Sequence, residues 1–480
     1  MNDPASPHIV VVGAGLSGLT TAFYLHRDLP GARLSVLEAS PRVGGVVQTE
    51  TADGFLIEHG ADMFSTEPPE ALQLCRDLGV EQELILTNES GRGAMIARGH
   101  QVYPVPEGFV LMRPTRTGPI LSTPLLSAKG KLRLLGERWV AARDSEEDES
   151  VASFVERRLG REVLERIVQP LVGGIYTADP RRLSMQATMP QFVAMEREHG
   201  SLAAATTARH RAGGDGRERS SSGARYAQFR GFPGGMRQWF ERLQAALPDG
   251  CVQTSAKLDS LSPAAGRWQL RVAGGDRSSR PENIDADAVV LAGPAKMSSG
   301  LLEGFAPAAT EALRDIVAAS SVILVLGVAD KNIARKPKAF GLVVPARERR
   351  SILACSFASH KFPGRAPEGH TLMRVFMGGA LQPELCERSD EELIELARSD
   401  LQELIGWNGQ ARLQRVVRWN EAMPQYLLGH RQRVERIEAA LEPYPTLAIA
   451  GNSLHGVGIA PVVRTAKRTA KRVVAAVVGC

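Results

Sequence analysis

Cysteine, aromatic residues and long apolar runs are all scarce in this sequence. Five of its 480 residues are cysteine and 5% are aromatic. The cysteines are odd in number and scattered without metal-ligand spacing, which disfavours a disulfide scaffold and a zinc site and favours reduced thiols. The best apolar run, 316–328, is interrupted by Ser320 and Ser321 and is too short to span a bilayer. We expect it to be a strand of a sheet.

Charge and the first residues bound the class of protein. The net charge is +5, with 43% hydrophobic and 23% charged residues, as in ordinary globular proteins. This balance permits attraction to an anionic substrate or a membrane surface, and it does not imply a nucleic-acid partner. The start of the chain lacks the charged and apolar regions of a secretory signal, so we expect a cytoplasmic location. The length suits two or three domains.

A glycine-rich stretch near the start, VVVGAGLSGLTTA, indicates a nucleotide site. An apolar run, His8–Val12, precedes it and predicts a buried parallel strand. Gly13, Gly15 and Gly18 follow at G-x-G-x-x-G spacing, and helical periodicity begins at Leu16. The glycines allow a tight turn, a close approach of backbone to pyrophosphate and close packing of helix on strand. The helix N-terminus offers free N–H groups to the phosphates.

The next strand selects the cofactor. Arg33–Leu37 ends in Glu38, where a carboxylate accepts hydrogen bonds from an adenosine ribose. The alternative is an ordinary strand–turn–helix unit without a ligand. Arg42, Gly44 and Gly45 follow, and a cation beside bare backbone suits a longer, doubly anionic cofactor. This arrangement resembles the extended FAD motif of the flavin amine oxidase superfamily, so the predicted cofactor is FAD.

The end of the chain has a matching pattern. Residues 447–450 predict a strand, GNSLHGVG a turn, and the residues from Pro461 a helix. In the superfamily such an element returns to the flavin, where a helix N-terminus stabilises negative charge. We therefore predict an α/β fold with a discontinuous Rossmann-like FAD-binding domain, a substrate domain and a mainly helical insert.

The proposed boundaries follow composition and motif positions. They are 1–88, 230–300 and 441–480 for the FAD-binding domain, 89–205 for a mainly helical domain facing substrate or membrane, 206–229 for a flexible loop, and 301–440 for an α+β substrate domain. The loop is rich in Gly, Ser and Arg, and an anion-binding arm is its alternative. The acidic segment 145–150 predicts a cap on a helix near Val151. A further helix is predicted over Asp390–Ile405.

Several further stretches resemble the FAD-dependent protoporphyrinogen and coproporphyrinogen oxidases of heme synthesis. The resemblance covers most of the chain, and it rests on the motifs together. They are LVGGIYTADPRRLSMQATMP (171–190), VAMEREHGSL (193–202), FRGFPGGM (229–236), FGLVVP (340–345), RWNEAMPQYLLGH (418–430) and GNSLHGVGI (451–459).

The resemblance implies a set of FAD contacts. With the residues of the glycine loop and of the segment after it, these are Gly13, Ala14, Gly15, Leu16, Ser17, Gly18, Glu38, Ala39, Arg42, Gly44, Gly45, Val46, Gly60, Ala61, Asp62, Met63, Val252, Asn452, Val457, Gly458 and Ile459.

The implied reaction removes six hydrogens from a porphyrinogen in two-electron steps, with oxygen as electron acceptor. The flavin supplies the redox chemistry. No Ser-His-Asp, Cys-His or metal constellation occurs in the sequence, and this reaction needs none, so no catalytic side chain and no metal ligand is predicted. The protein must instead hold a flat apolar macrocycle and neutralise its propionates, which predicts apolar walls with a few basic groups.

The resemblance also implies substrate contacts. The family's substrate loop corresponds to Gly174, Ile175, Tyr176, Thr177 and Ala178, with alanine at 178 where many members have glycine; Phe340 and Leu342 correspond to residues that sandwich the ring, with core packing as the equal alternative. The expected propionate-binding arginine aligns with Gly93. Arg92 and Arg98 are therefore the first candidates, and Arg113 and Arg116 are further candidates. For each of them the alternative is a solvated surface charge without a ligand.

Two further choices stay open at this level. Residues 106–133 resemble the coproporphyrinogen-type members more closely, and extra arginines there suit a substrate with four propionates. An amine oxidase, a carotenoid desaturase or a porphyrin carrier without turnover is the alternative function. Asn452 in AGNS argues against the amine oxidases, which usually have an acidic residue there.

Membrane contact and self-association also stay open. Arg464, Lys467, Arg468, Lys471 and Arg472 form a basic helical stripe, which is either a solvated face or a contact with an anionic membrane. Residues 125–140 predict a helix whose apolar face is core or lies at a membrane interface. The sequence leaves two alternatives open. The protein is either free in the cytoplasm or bound at the inner face of the membrane, and it is either a monomer or a homodimer.

Overall fold

The computed structural model describes residues 6–211, 226–273 and 281–479. The loop predicted over 206–229 is wrong at its edges, because a helix continues to Arg211 and a strand begins at Phe229. Residues 212–225 of that prediction lie outside the described residues.

A five-stranded parallel sheet forms the frame of the predicted nucleotide-binding part. Its order is Val252–Gln253, Arg33–Leu37, His8–Val12, Ala288–Leu291 and Leu447–Ile449. Every residue of His8–Val12 is buried, which explains its uninterrupted apolar run. Because strands from both ends of the chain share this sheet, the first and last segments belong to one structure.

Two layers cover the parallel sheet. Side chains alternate along His8–Val12, so Ile9 and Val11 face one layer while Val10 and Val12 face the other. The first layer contains the helices Leu16–Asp28, Glu70–Asp77, Arg237–Ala245 and Ile459–Val478. The second contains the antiparallel strands Leu258–Ala264, Arg267–Val272 and Glu282–Ala286 with the helices Ala295–Leu302, Pro307–Arg314 and His430–Leu441.

A seven-stranded sheet forms the second body of the fold. Its order is Leu413–Pro424, Ala318–Ala329, His370–Gly378, Ile352–Phe357, Gly341–Val343, Ala94–Arg98 and Gln101–Pro104. The strand predicted from the run 316–328 is confirmed, and the helix Asp390–Ile405 covers this sheet with the predicted bounds. The hairpin 94–104 pairs with Gly341–Val343, so it extends this sheet and does not belong to the helical part that follows it.

The remaining helices pack around a separate apolar core. They are Gly118–Ser122, Ala128–Leu135, Val151–Arg158, Arg161–Val163, the π-helical Leu164–Val168, Gln169–Tyr176, Met185–Thr188, Pro190–His199 and Leu202–Arg211. The predicted cap is confirmed, because the Ser150 hydroxyl accepts from the Ser153 N–H at 3.1 Å. No helix within the described ranges is long and apolar enough to cross a membrane. The three-part division of the chain stays a prediction.

Short elements connect these bodies. They are the hairpin Thr49–Ala52 and Phe55–Glu58, the strands Phe64–Ser65, Phe229–Gly231 and Ile85–Leu86, the pair Phe109–Val110 and Arg113–Pro114, the helix Ala358–Lys361, and the 3₁₀ turns Glu81–Glu83, Gly136–Trp139, Tyr226–Gln228, Asp330–Asn332, Ala346–Glu348 and Pro383–Glu387.

Candidate active site

The turn after the first strand has the shape of a phosphate cradle. Gly13 has φ +105°, which favours glycine, and a Cβ on Gly18 would lie 1.8 Å from the Gly13 carbonyl oxygen. The helix then begins at Leu16, so its first N–H groups face the turn. The buried Ser17 hydroxyl has no hydrogen-bond partner among the described residues. A backbone cradle with an orphaned hydroxyl beside it fits a pyrophosphate.

Glu38 connects the cradle to the segment that follows the second strand. One carboxylate oxygen accepts from the Ala14 N–H at 2.7 Å, and the other accepts from the Ser40 N–H at 2.8 Å. Each oxygen keeps a lone pair for a further donor such as a ribose hydroxyl. The predicted role of Glu38 is therefore compatible with its position, and the carboxylate also fixes the two loops relative to each other.

The segment 42–46 lies against the cradle, and its arginine bonds to the backbone of the same segment. The Gly44 N–H donates to the Ala14 carbonyl at 2.9 Å, and a Cβ on Gly45 would lie 3.4 Å from the Gly15 Cα. The exposed Arg42 donates to the carbonyls of Gly45 and Val43, at 2.8 and 3.1 Å. Arg42 thus stabilises the conformation of its own loop, and its contact with the cofactor stays a prediction.

The turn 60–63 is held by a buried ion network that the sequence did not reveal. The Asp62 carboxylate lies 2.9 Å from the Lys361 ammonium and 3.2 Å from the Arg374 guanidinium, and all three side chains are buried. Arg374 also donates to the Gly60 carbonyl. Burial alone would raise the pKa of Asp62, but the two cations outweigh it and hold the pKa at about 2. Asp62 therefore holds the turn 60–63 in place through its ion pairs with these two buried cations.

Glu58 is buried at the edge of the same network. It accepts from the Met236 N–H at 2.7 Å and from the Thr49 hydroxyl at 2.8 Å. Burial raises the pKa of Glu58 to about 7 in spite of these bonds and of the nearby arginines. A Cβ on Gly60 would lie 2.5 Å from the Val46 carbonyl oxygen, so this turn closely approaches the 42–46 segment.

The loop 451–458 is the C-terminal part of the site. The Tyr426 hydroxyl donates to the Asn452 carbonyl at 2.6 Å and accepts from the Gly456 N–H at 2.6 Å. The ring of His430 stacks on Tyr426 with centroids 3.8 Å apart, and its Nε2 lies 3.0 Å from the Leu454 carbonyl. The helix begins at Ile459 after this loop, two residues before the predicted proline.

The predicted substrate loop ends a helix beside this region. Gly174 and Ile175 are exposed, and Thr177 adopts a left-handed conformation with φ +48°. The Tyr176 carbonyl accepts from the Gln425 side-chain amide at 3.1 Å. Gln425 and Tyr426 are neighbours, so one dipeptide holds both the substrate loop and the loop 451–458. Ala178 is buried in the helical core, and its side chain does not line the surface.

Two predicted ring-contacting side chains are buried elsewhere. Leu342 is 1% exposed and faces the core under the helix Asp390–Ile405, and Phe340 is 0% exposed. Side chains alternate along a strand, so Val343 faces the opposite side, where it packs toward the helical part. The burial of Phe340 and Leu342 agrees with the core-packing alternative, and their contact with a substrate ring stays a prediction. Val343 lies beside the predicted substrate loop, because a Cβ on Gly174 would lie 3.7 Å from Val343 Cγ1.

The candidate arginines are divided between two ends of one strand. Arg92 precedes Ala94–Arg98 and donates to the Thr87 carbonyl at 3.0 Å, whereas Arg98 ends the strand and donates to the Pro124 carbonyl. An extended chain of this length spans about 20 Å, so the two do not meet at one carboxylate. Arg230 pairs across the strands with Leu86, which directly precedes Thr87, the residue to which Arg92 donates. Arg230 is therefore a second cation beside Arg92, and the sequence did not reveal it.

The two other arginines and the first two cations of the basic stripe, Arg464 and Lys467, already have partners. Arg116 pairs with Glu107 at 2.6 Å, and the buried Arg113 donates to the Thr206 hydroxyl. In the last helix, Arg464 pairs with Glu70 at 2.5 Å and Lys467 lies 3.7 Å from Asp77. This part of the stripe therefore ties the helix to the body of the protein, which argues against its use as a membrane contact.

A parallel sheet with a glycine cradle and a second, larger sheet defines a two-part dinucleotide-binding protein. Comparison with known protein families identifies the family. The family described as "Flavin containing amine oxidoreductase" matches residues 16–474, and the chain belongs to it. The predicted fold class and the predicted flavin cofactor are thereby confirmed.

Individual relatives are similar over nearly their full length. Coproporphyrinogen III oxidase of Bacillus subtilis is 33% identical over 457 residues, 94% of each chain. Coproporphyrinogen III oxidase of Propionibacterium freudenreichii is also 33% identical, covering 98% of this chain and 92% of the relative. A solved structure from an Exiguobacterium species superposes with a TM-score of 0.82 at 28% identity, covering 97% and 98%.

Proposed function

We propose that this protein oxidises a porphyrinogen to the porphyrin in heme synthesis, with FAD as its cofactor. The observation that carries the proposal is the Gln425–Tyr426 dipeptide. Its two side chains hold the loop 174–178 and the loop 451–458 side by side, in a chain with relatives named as porphyrinogen oxidases. Bound FAD supplies the two-electron redox chemistry.

The side chains of the site position the reactants. The helix Gln169–Tyr176 ends in exposed backbone at Gly174 and Ile175, which supplies carbonyl acceptors for pyrrole N–H groups. Arg92 lies beyond the far end of Gly341–Val343, since the Phe340 N–H donates to the carbonyl of Gly93. A macrocycle that lies along Gly341–Val343 has its pyrrole N–H groups near the exposed backbone of Gly174 and Ile175, and one propionate near Arg92.

Coproporphyrinogen III is the substrate that we favour. Residues 106–133 resemble the coproporphyrinogen-type members more closely, and the two relatives that are 33% identical are named coproporphyrinogen III oxidases. Oxygen is the proposed electron acceptor, with peroxide as the product.

Turnover under air tests both choices. The FAD-loaded protein is mixed with coproporphyrinogen III or protoporphyrinogen IX, and porphyrin fluorescence and peroxide are followed together. We expect faster fluorescence growth from coproporphyrinogen III, with peroxide formed in step. Faster oxidation of protoporphyrinogen IX would overturn the substrate choice, and oxidation of neither would overturn the function.

The helical part has three exposed large apolar side chains, Leu121, Leu132 and Trp139, which support peripheral membrane contact. Leu132 is 71% exposed and Trp139 is 76% exposed, and the Arg138 guanidinium lies 5.3 Å from the Trp139 ring centroid. Apolar groups beside cations suit an anionic membrane surface. Sedimentation with phosphatidylglycerol vesicles should fall for Trp139→Ser and Leu132→Ser. Two results would refute the contact: no sedimentation of the wild type with either kind of vesicle, or equal sedimentation with phosphatidylglycerol vesicles and with neutral vesicles.

The homodimer stays a prediction, and a measurement of the molecular mass in solution tests it.

A further inference from the structure

A basic cavity lies in the helical part. Arg133 in its wall belongs to the stretch 106–133, and no other residue that lines the cavity is among those predicted to contact FAD or substrate. The volume of the cavity is about 370 Å³, and its walls come from the helix Ala128–Leu135, from residues 159–166 and from the turn at Arg347. The basic side chains that line it are Lys129, Arg133, Arg161, Arg166 and Arg347.

Two carboxylates, Glu162 and Glu165, line the cavity with these five cations, and the carboxylate of Glu348 also acts on Arg166. Glu162 accepts from the Ser127 N–H at 3.0 Å and from its hydroxyl at 2.6 Å, so this carboxylate already caps the helix Ala128–Leu135. Glu165 is shared between Arg161 at 2.5 Å and Arg347 at 3.2 Å. Glu162 also pairs with Arg166, so among the described residues two cations of the wall, Lys129 and Arg133, have no carboxylate partner.

Several donors in the wall are open. Arg166 Nε lies 3.1 Å from a Glu162 oxygen but is buried without a hydrogen bond, and the terminal nitrogens of Arg166 contact no acceptor among the described residues. Burial, followed by the charges of Arg347 and Arg98, lowers the pKa of Arg166. The Lys129 ammonium also has no partner within the described part of the chain. An anion in the cavity would satisfy these groups.

We propose that this cavity binds a small polyanion that carries two or more phosphate or carboxylate groups. Guanidinium groups bind such oxyanions through paired N–H donors. The volume lies in the range of small-ligand sites and exceeds what a single simple ion fills. The ligand contacts the helical part through Arg166 and the seven-stranded sheet through Arg347, which follows Gly341–Val343, so it binds the two bodies together.

Calorimetric titration of the FAD-loaded full chain tests the site. Pyrophosphate and citrate are titrated separately at constant ionic strength, which distinguishes a phosphate from a carboxylate ligand. We expect saturable binding of one equivalent of at least one probe. Arg166→Gln and Arg347→Gln should each weaken it by about tenfold or more, because each removes a charge-assisted contact.

Two further variants keep the result unambiguous. Lys129→Gln removes an exposed side chain that makes no bond, so weakened binding in this variant does not come from misfolding. Arg314→Gln is the matched control, because Arg314 is an exposed arginine that does not line the cavity and that pairs with Glu303. No saturable binding of either probe, or equal weakening in Arg314→Gln, would overturn the proposal. Porphyrinogen turnover is measured in parallel, and its presence or absence leaves this outcome unchanged.

Discussion

The hydroxyl of Tyr426 donates to the carbonyl of Asn452 across 2.6 Å, and the neighbouring Gln425 donates to the carbonyl of Tyr176. These two bonds connect the strand region after Leu413–Pro424 to both loops of the proposed site. The buried Tyr426 ring is also stacked on His430, so its position is fixed. Changes at Tyr426 should therefore alter cofactor binding before they alter the fold.

Tyr426→Phe removes the hydroxyl and leaves the Gly456 N–H without its acceptor. Leaving a buried group unpaired costs about 1–3 kcal/mol. We expect FAD to be released more readily, measured as flavin fluorescence during dilution. Tyr444→Phe is the control, since the Tyr444 hydroxyl also donates to a backbone carbonyl, that of Phe305, outside the site. Equal FAD retention by both variants would contradict the role of Tyr426.

Gly18→Ala tests the cradle. The added Cβ would lie 1.8 Å from the Gly13 carbonyl oxygen, so the turn has to open. We expect the purified variant to contain no flavin, measured by absorbance, and to retain far-ultraviolet circular dichroism. Gly31→Ala should stay yellow, because its Cβ meets nothing within 4 Å. A yellow Gly18→Ala protein would exclude the cradle as the FAD site.

Asp62→Asn tests the ion network beneath the turn 60–63. Lys361 and Arg374 would then be buried without a carboxylate, which should lower the free energy of unfolding by about 3–5 kcal/mol. Urea denaturation of the flavin-loaded protein measures it. Glu303→Gln breaks an exposed pair and should cost less than about 1 kcal/mol. Similar losses in both variants would show that the network is not a stabilising element.

Glu58 should make stability depend on pH near neutrality. Its pKa rises from 4.5 to about 7 on folding, so the folded protein binds a proton more tightly than the unfolded chain. The stability from this group is full below pH 4.5 and falls as the pH rises toward about 7. Glu58→Gln, whose amide resembles the protonated acid, should show a smaller fall in melting temperature between about pH 5 and 8. Parallel profiles for the two proteins would refute this assignment.

Local signals explain what the sequence predicted well. The helix Asp390–Ile405 begins at a capping box on Ser389 and ends at Gly406, and the strand Ala318–Ala329 contains a continuous apolar run. In the strand the apolar residues are continuous only from Val322, after Ser320 and Ser321. The glycine turn likewise has a spacing that only one backbone shape satisfies. Each of these features depends on residues that are close in the sequence.

The errors and omissions depend on contacts between distant parts of the chain. Asp62 meets Lys361 and Arg374, which are far away in sequence, so no spacing rule joins them. Tyr426 lies in RWNEAMPQYLLGH, one of the motifs on which the family resemblance rests. The sequence does not reveal which backbone groups its hydroxyl contacts, because these groups lie in another segment of the chain. In FGLVVP both faces are apolar, so the pattern does not reveal that Leu342 faces the core.

Whether this protein is a porphyrinogen oxidase is decided by oxidation of coproporphyrinogen III by the FAD-loaded protein under air. We expect growth of porphyrin fluorescence above the uncatalysed rate, with peroxide formed in step, and loss of both in Gly18→Ala. A flavin-loaded protein that oxidises neither coproporphyrinogen III nor protoporphyrinogen IX would contradict this function.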